Sequence, residues 1–220
     1  MKKLVVIFWI LGSFISVGFA EMSETELQQN SYDCFINQNS IACEALKSMF
    51  QCNESVDAGD CVLLGNIYKN AGRTQEAIKY FNKAIDLGDY TALHFLGILY
   101  DEQNKFIESF KYFTMACEKI NANQDETIKK VKAAACFNLA TLYDFGKGRK
   151  QDYIKASEFY KIACDLGDFD GCHNLGFLYD KGQGVKQSKT IAKQYYEKAC
   201  DLGDQISCVK YRNLNKSGVQ

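Results

Sequence analysis

The chain has 220 residues, of which 47% are hydrophobic and 24% are charged, so it can bury a sizeable core and is not intrinsically disordered. Its formal net charge is −1, so no global excess of basic residues supports nucleic-acid binding. It contains no proline, and such a chain fits helices joined by glycine turns better than a loop-rich β-sandwich.

The amino terminus has the layout of a secretory signal peptide. Two lysines precede an apolar stretch of 17 residues at 4–20 that ends in Gly-Phe-Ala. Small residues three and one before the bond between Ala20 and Glu21 predict cleavage there. The alternative is a membrane anchor, since this length nearly spans a bilayer, but glycines and serines within the stretch favour removal. We therefore expect a signal peptide at 1–20 and a periplasmic or secreted chain without a membrane span.

The chain repeats with a period of 36 residues. Cys136, Cys172 and Cys208 are 36 residues apart, and so are Cys164 and Cys200. Such a period marks an array of supersecondary units. Each unit predicts two helices, because leucines and tyrosines recur at spacings of three and four and glycine turns separate them. A single helical hairpin cannot bury both faces, whereas stacked hairpins can, so we predict an all-α solenoid.

Two earlier units share the pattern, with four residues fewer in the turn between their helices. We place the repeats at 61–208, between atypical N-terminal capping helices at 21–60 and a C-terminal tail at 209–220. The second unit carries an extra polar, lysine-rich segment near 121–132, which we expect to be a mobile loop.

The repeat resembles the Sel1-like repeats, relatives of the tetratricopeptide repeats (TPR). The motifs that carry the resemblance are Ala-Cys-Asp-Leu-Gly-Asp at 163–168 and 199–204 and Gly-Cys-His-Asn-Leu-Gly at 171–176. With these cysteines, the chain is similar to the exported Helicobacter cysteine-rich proteins over roughly 52–212. The resemblance implies a right-handed solenoid of stacked helix-turn-helix units. Some members of that family carry a β-lactamase or penicillin-binding label, which implies a β-lactam-binding or weakly hydrolysing enzyme as the alternative function.

The ten cysteines predict a disulfide framework, since an even number in an exported chain is typical of structural bridges. One cysteine ends a second helix and the next opens the following first helix, so the two face each other across a short corner. The predicted bridges are Cys34–Cys43, Cys52–Cys61, Cys117–Cys136, Cys164–Cys172 and Cys200–Cys208. At one corner Ile85 and Leu93 replace both cysteines together, as a true pair predicts. Zinc is the competing use, but spacings of eight and nine residues suit no common structural zinc site, so we expect no metal and no cofactor.

Candidate catalytic residues are few. Serine β-lactamase chemistry needs a Ser-x-x-Lys motif together with SDN and KTG elements. Ser207 and Lys210 form such a motif beside Cys208, without the other two elements. The histidines, His94 and His173, are expected on the surface of their repeats rather than at a shared metal site. A Ser-His-Asp arrangement in space stays open, although no local motif supports one.

The first helices of the repeats provide the predicted binding surface, because solenoids of helical hairpins present these helices along one concave face. Asn138 and Asn174 share one position there, beside His173, and Asn66 lies near that position in an earlier unit. An amide donates and accepts hydrogen bonds, which suits an extended peptide backbone; alternatively, these asparagines bond neighbouring helix ends. We therefore predict a scaffold that binds a protein, peptide or cell-wall fragment, and no nucleic acid.

Overall fold

The computed structural model describes residues 6–10, 13–17, 52, 58–122 and 125–219. They belong to two compact units, Met1–Asp89 and Tyr90–Gln220. The predicted cleavage site between Ala20 and Glu21 and the predicted bridge Cys34–Cys43 lie outside the described residues, as does most of the predicted capping segment.

The first unit contains a β-hairpin and one helical pair. Strands β1 (Val6–Ile10) and β2 (Ser13–Val17) pair antiparallel and lie within the segment that the sequence predicts to be a signal peptide. Helices α1 (Ala58–Asn70) and α2 (Thr74–Asp86) are joined by a turn of three residues. The lysine ammonium of Lys83 donates a hydrogen bond to the Cys52 carbonyl oxygen, 2.6 Å away.

The second unit is an array of helices. They are α3 (Thr91–Glu102), α4 (Phe106–Lys119), α5 (Glu126–Phe145), α6 (Tyr153–Asp165), α7 (Phe169–Lys181), α8 (Lys189–Asp201) and α9 (Gln205–Lys216). Consecutive helices pack together, and α3 also contacts α5. The first helices of the pairs (α3, α5, α7 and α9) thus form one layer, and the second helices (α4, α6 and α8) form the other. This array of helical repeats confirms the predicted all-α fold class.

The turns inside the pairs have two lengths. They contain three residues in α1–α2 and α3–α4 but seven in α5–α6 and α7–α8, which is the four-residue difference seen in the sequence.

No helix among the described residues is long and apolar enough to cross a membrane.

The expected mobile loop at 121–132 is wrong for most of its length, because α5 already begins at Glu126. The Asp125 side chain caps this helix by accepting a hydrogen bond from the Thr127 amide at 2.6 Å. The Lys132 ammonium, one and a half turns further on, donates to the Ile120 carbonyl oxygen at 2.9 Å. A capped start and a tie to the preceding helix therefore extend the first helix of this repeat backwards into the polar segment.

Each helical pair closes around an aromatic ring of its second helix. The rings belong to Phe81, Phe113, Tyr160 and Tyr196, and all four are buried. The facing residue of the first helix is small, which lets the two backbones approach closely. A Cβ atom added at Gly97 would lie 2.5 Å from the Phe113 ring, whereas one added at Gly176 would lie 3.0 Å from the Tyr196 ring. In the pairs that contain Phe81, Phe113 and Tyr196, the distance between the helices is therefore set by a ring packed onto a glycine.

A second aromatic contact closes each pair near its turn, as expected from the aromatic residues that recur in the second helices. The stacked pairs are Tyr68–Tyr80, Tyr100–Tyr112, Tyr143–Phe159 and Tyr179–Tyr195, with ring centroids 5.3–5.7 Å apart. These rings pack against each other within the repeats.

The described part of the chain contains four disulfides, and three of them close corners between a second helix and the following first helix. They link Cys52 to Cys61, Cys117 to Cys136, Cys164 to Cys172 and Cys200 to Cys208. These are the pairs that the spacing predicts within the described residues. In the chain-entropy model, closing a loop of eight or nine residues stabilises the fold by about 2.5 kcal/mol, and closing the 19-residue loop of Cys117–Cys136 stabilises it by about 3 kcal/mol.

Gly97→Ala and Gly176→Ala form a matched test of the ring-to-glycine packing. Gly97→Ala should lower the free energy of unfolding by about 1–3 kcal/mol, because Phe113 must move. At Gly176 a smaller displacement is offset by the helix propensity of alanine, about 1 kcal/mol better than that of glycine, so little net change is expected. Chemical denaturation of both variants measures the difference. Equal effects of the two substitutions would contradict the account.

The disulfides should differ in how easily they are reduced. Cys164 and Cys172 are fully buried, whereas Cys200 and Cys208 are both partly exposed. Because reduction needs a thiolate to reach the sulfur, limited treatment with a small thiol should open Cys200–Cys208 first. Alkylation followed by peptide mass mapping reports the order, and earlier opening of Cys164–Cys172 would contradict it.

Candidate functional site

Ser207 lies at the start of α9, where it is fully buried. Its Oγ is 2.8 Å from Nδ1 of His173 on α7. The carboxylate of Asp204, which precedes α9, approaches the same Nδ1 at 2.9 Å. The structure thus brings a serine, a histidine and an aspartate together, a grouping that the sequence left open.

This cluster does not have the geometry of a hydrolase triad. In a triad the serine and the aspartate bond opposite nitrogens of the imidazole, but here Ser207 and Asp204 share one nitrogen of His173. A carboxylate can only accept hydrogen bonds, so Nδ1 carries the proton and cannot take one from the serine. The cluster instead fastens α9 to α7.

Besides contacting His173, Asp204 is the N-cap of α9. Its carboxylate accepts hydrogen bonds from the backbone amides of Ile206 and Ser207, both at 3.0 Å. Burial raises the pKa of Asp204, but the hydrogen bonds from Ser207 and His173 outweigh it and hold the pKa below its usual range. The neighbouring Asp170 has a raised pKa, because burial and the Asp204 charge disfavour its ionised form.

Lys210 does not reach Ser207 by any hydrogen bond within the described part of the chain. Its ammonium lies 5.3 Å from the centroid of the Tyr196 ring and 5.9 Å from that of Phe177. The predicted Ser-x-x-Lys pair is therefore split between two environments, a buried hydroxyl and a cation on an aromatic surface.

The predicted binding asparagines have different surroundings. The Asn174 amide hydrogen-bonds the Tyr160 hydroxyl, which in turn donates to Asp144 Oδ2 at 3.0 Å. This chain of polar groups links α5, α6 and α7, and burial is the main cause that raises the pKa of Asp144. Asn138 and Asn66 are partly buried on the first helices α5 and α1.

The expectation that both histidines lie on the surface is wrong for His94. Its side chain is buried, with its ring 5.8 Å from that of Phe113. His173 is partly buried, and its ring lies edge-on to Tyr196 at 5.7 Å. The same position in the third repeat is Phe137, which packs on Tyr160 at 5.8 Å. The residue at this repeat position is thus His94, Phe137 or His173, and in each repeat its ring packs against the second helix of the pair.

Phe177 is a functional candidate that the sequence did not single out. It is 37% exposed on α7, and the ammonium groups of Lys181 and Lys210 lie 5.8 and 5.9 Å from its ring centroid. Ile206 and Val209, on the neighbouring α9, are 63% and 49% exposed. The first helices α7 and α9 therefore carry exposed apolar side chains, and the Phe177 ring among them lies near two cations. The 36-residue period, which places Lys210 in the position of Asn174, is the signal that could have indicated this face.

Asp204→Asn separates the charge of the carboxylate from its capping role, because asparagine is also a good N-cap. A depressed folded-state pKa contributes stability above the unfolded pKa of about 3.9 that is lost as the pH falls through the folded value. The variant should therefore be about 1–2 kcal/mol less stable than the wild type at neutral pH, and the difference should shrink below about pH 4.

Denaturant unfolding across this pH range measures the difference, with Asp201→Asn as the control. Asp201 is an exposed carboxylate at the end of α8, and its substitution should leave stability unchanged. A difference that grows on acidification would rule out the proposed role of the Asp204 charge.

Comparisons with known proteins agree with this architecture. The Sel1 repeat model matches residues 92–121, 133–168 and 169–204, and a Tetratricopeptide repeat model matches 61–87. A search of the curated proteins finds no match.

Similar solved structures include other repeat proteins. The chain is 33% identical to Helicobacter pylori cysteine rich protein B, over 61% of this chain and 91% of that one, with a TM-score of 0.45. It is 22% identical to a Sel1 repeat protein from Oxalobacter formigenes, over 88% and 78% of the two chains, with a TM-score of 0.63. Pseudomonas aeruginosa pilF is 16% identical over 88% and 83%, with a TM-score of 0.57. The last two show a shared fold alone.

The repeat matches agree with the helical pairs seen in the structure. The chain belongs to the Sel1-repeat family.

Proposed function

We propose that this protein is an exported scaffold that holds a protein or peptide partner on the first-helix face. We define this face by Asn138 on α5, by Asn174 and Phe177 on α7, and by Lys210 on α9. The observation that carries the proposal is the exposed Phe177 ring between two lysine ammonium groups. An apolar patch rimmed by charges is a common feature of protein interaction sites.

The scaffold beneath this face supports the proposal because it is held rigid. The Cys164–Cys172 and Cys200–Cys208 bridges close the corners on either side of the α7–α8 pair, and the His173 cluster fastens α9 to α7. A surface that is already ordered loses less conformational entropy when a partner binds. Sel1 and tetratricopeptide repeats mediate protein interactions, which favours a protein or peptide over a cell-wall fragment.

Export is supported by the cysteines. Disulfides persist in oxidising compartments such as the periplasm or the extracellular space, and every cysteine in the described part of the chain is paired. The signal-peptide layout of residues 1–20 points in the same direction.

The alternative of β-lactam chemistry gains no support from Ser207. Its hydroxyl is buried and shares its hydrogen-bonding partner with Asp204. Lys210, the other half of the motif, lies against aromatic rings instead of activating the serine. We therefore retain the interaction scaffold as the proposed function.

Peptides selected from a random display library on the oxidised protein provide the test. Phe177→Ala should weaken their binding about 10-fold or more, as expected for a central aromatic anchor, and Lys210→Gln should weaken the binding of those that carry acidic residues. Isothermal titration calorimetry measures both effects.

Ile162→Ala is the matched control, because Ile162 is also an exposed apolar residue but lies on the second helix α6. It should leave the affinity unchanged. An equal loss in the Ile162 and Phe177 variants, or full binding by the Phe177 variant, would overturn the proposed face.

A further inference from the structure

The two edges of the second unit differ in charge. The turns within the pairs lie on one edge, and the corners between pairs lie on the other. The edge with the turns carries five cations. They lie in the α5–α6 turn, in the α7–α8 turn and at the first residue of α8, and they are Lys147, Arg149, Lys150, Lys186 and Lys189. The edge with the corners carries five carboxylates. They lie at the corners before α7 and α9 and in the first turn of α7, and they are Asp165, Asp168, Asp170, Asp201 and Asp204. A chain with a net charge of −1 thus carries a basic edge.

The cations of the basic edge are not neutralised by carboxylates. None of the five forms an ion pair within the described residues, whereas Lys155 and Lys161 on the adjoining α6 pair with Glu158 and Asp165. Asp152, the carboxylate closest in sequence, is used as the N-cap of α6 and accepts hydrogen bonds from two backbone amides at 3.0 and 3.1 Å. The positive charge of this edge is therefore available to a ligand.

A groove of about 450 Å³ crosses the basic edge. Arg149, Lys150, Gln151, Asp152, Tyr153, Ile154 and Gly184 line it. Gly184 has a φ of +68° and packs directly on the Tyr153 backbone, where a Cβ atom would come within 2.2 Å of the carbonyl carbon. The two turns are thus held in contact, and the groove runs from one repeat to the next.

Arg149 is held in position by aromatic rings. Its guanidinium carbon lies 3.9 Å from the centroid of the Tyr143 ring and 4.3 Å from that of Phe110. The two rings are nearly perpendicular, with an interplanar angle of 77°, so the guanidinium lies in the corner that they form. Cation–π attraction holds it there without an ion pair to a carboxylate. A carboxylate arriving in the groove would therefore meet an arginine that is already oriented.

We propose that this groove binds an acidic segment of a polypeptide partner, at a surface separate from the first-helix face. Unpaired cations in two successive turns suit a chain that carries several carboxylates. Ile154, which is 60% exposed at the groove, suits an apolar side chain beside those carboxylates. This apolar contact favours a peptide over a sulfated or phosphorylated polysaccharide.

The test uses the oxidised full chain and a fluorescein-labelled decapeptide of alternating glutamate and isoleucine, followed by fluorescence anisotropy. Arg149→Gln combined with Lys150→Gln should weaken binding about 10-fold or more. Lys150→Gln alone, which disturbs no ring contact, should weaken it about 3-fold. The matched control pair is Lys130→Gln with Lys216→Gln, which removes two exposed lysines elsewhere and should change affinity less than about 2-fold.

Several results would overturn the groove. They are no binding of the peptide to the wild type, equal losses in the groove and control pairs, and groove-dependent binding of dextran sulfate but not of the peptide. Phe177→Ala should leave this binding unchanged. If it weakens the binding as much as the groove pair does, the peptide lies on the first-helix face, which would overturn the groove and leave the proposed function standing.

Discussion

The packing of one aromatic ring per repeat onto a small residue of the first helix is the contact on which the rest of the structure depends. Where the small residue is Gly97, the ring of Phe113 lies too close for any added carbon. This contact fixes the distance between the helices of a pair. The corner to the next repeat is then short enough for a disulfide, and the side chains of successive first helices come into register on one face.

Equivalent positions in this array have different uses, and the differences mark the candidate surface. The Tyr160 hydroxyl donates a hydrogen bond to Asp144 and is also hydrogen-bonded to Asn174. One period later, Lys210 takes the place of Asn174, and its ammonium lies over the Tyr196 ring. With this exchange, a hydrogen bond between repeats is replaced by a partly buried cation beside Phe177. The repeated residues thus build the scaffold, and the positions that differ between repeats form the candidate binding surface.

Much of the fold could be predicted from periodicity alone, because a 36-residue repeat, its turn glycines and its paired cysteines are all local signals. The start of α5, residues 126–132, could not be predicted in this way, since a polar composition indicates a loop unless the cap at Asp125 is recognised. The contact of His173 with Asp204 and Ser207 joins residues more than 30 positions apart, and no local motif encodes it. The contact of Arg149 with the rings of Phe110 and Tyr143 could not be predicted for the same reason.

Photo-crosslinking tests the central claim that partners bind the first-helix face. A library-selected peptide carrying benzoylphenylalanine would be irradiated on the oxidised protein, and the attachment sites mapped by mass spectrometry. The account predicts attachment to α7 and α9, around Phe177 and Lys210. Attachment confined to the second helices α6 and α8 would contradict it.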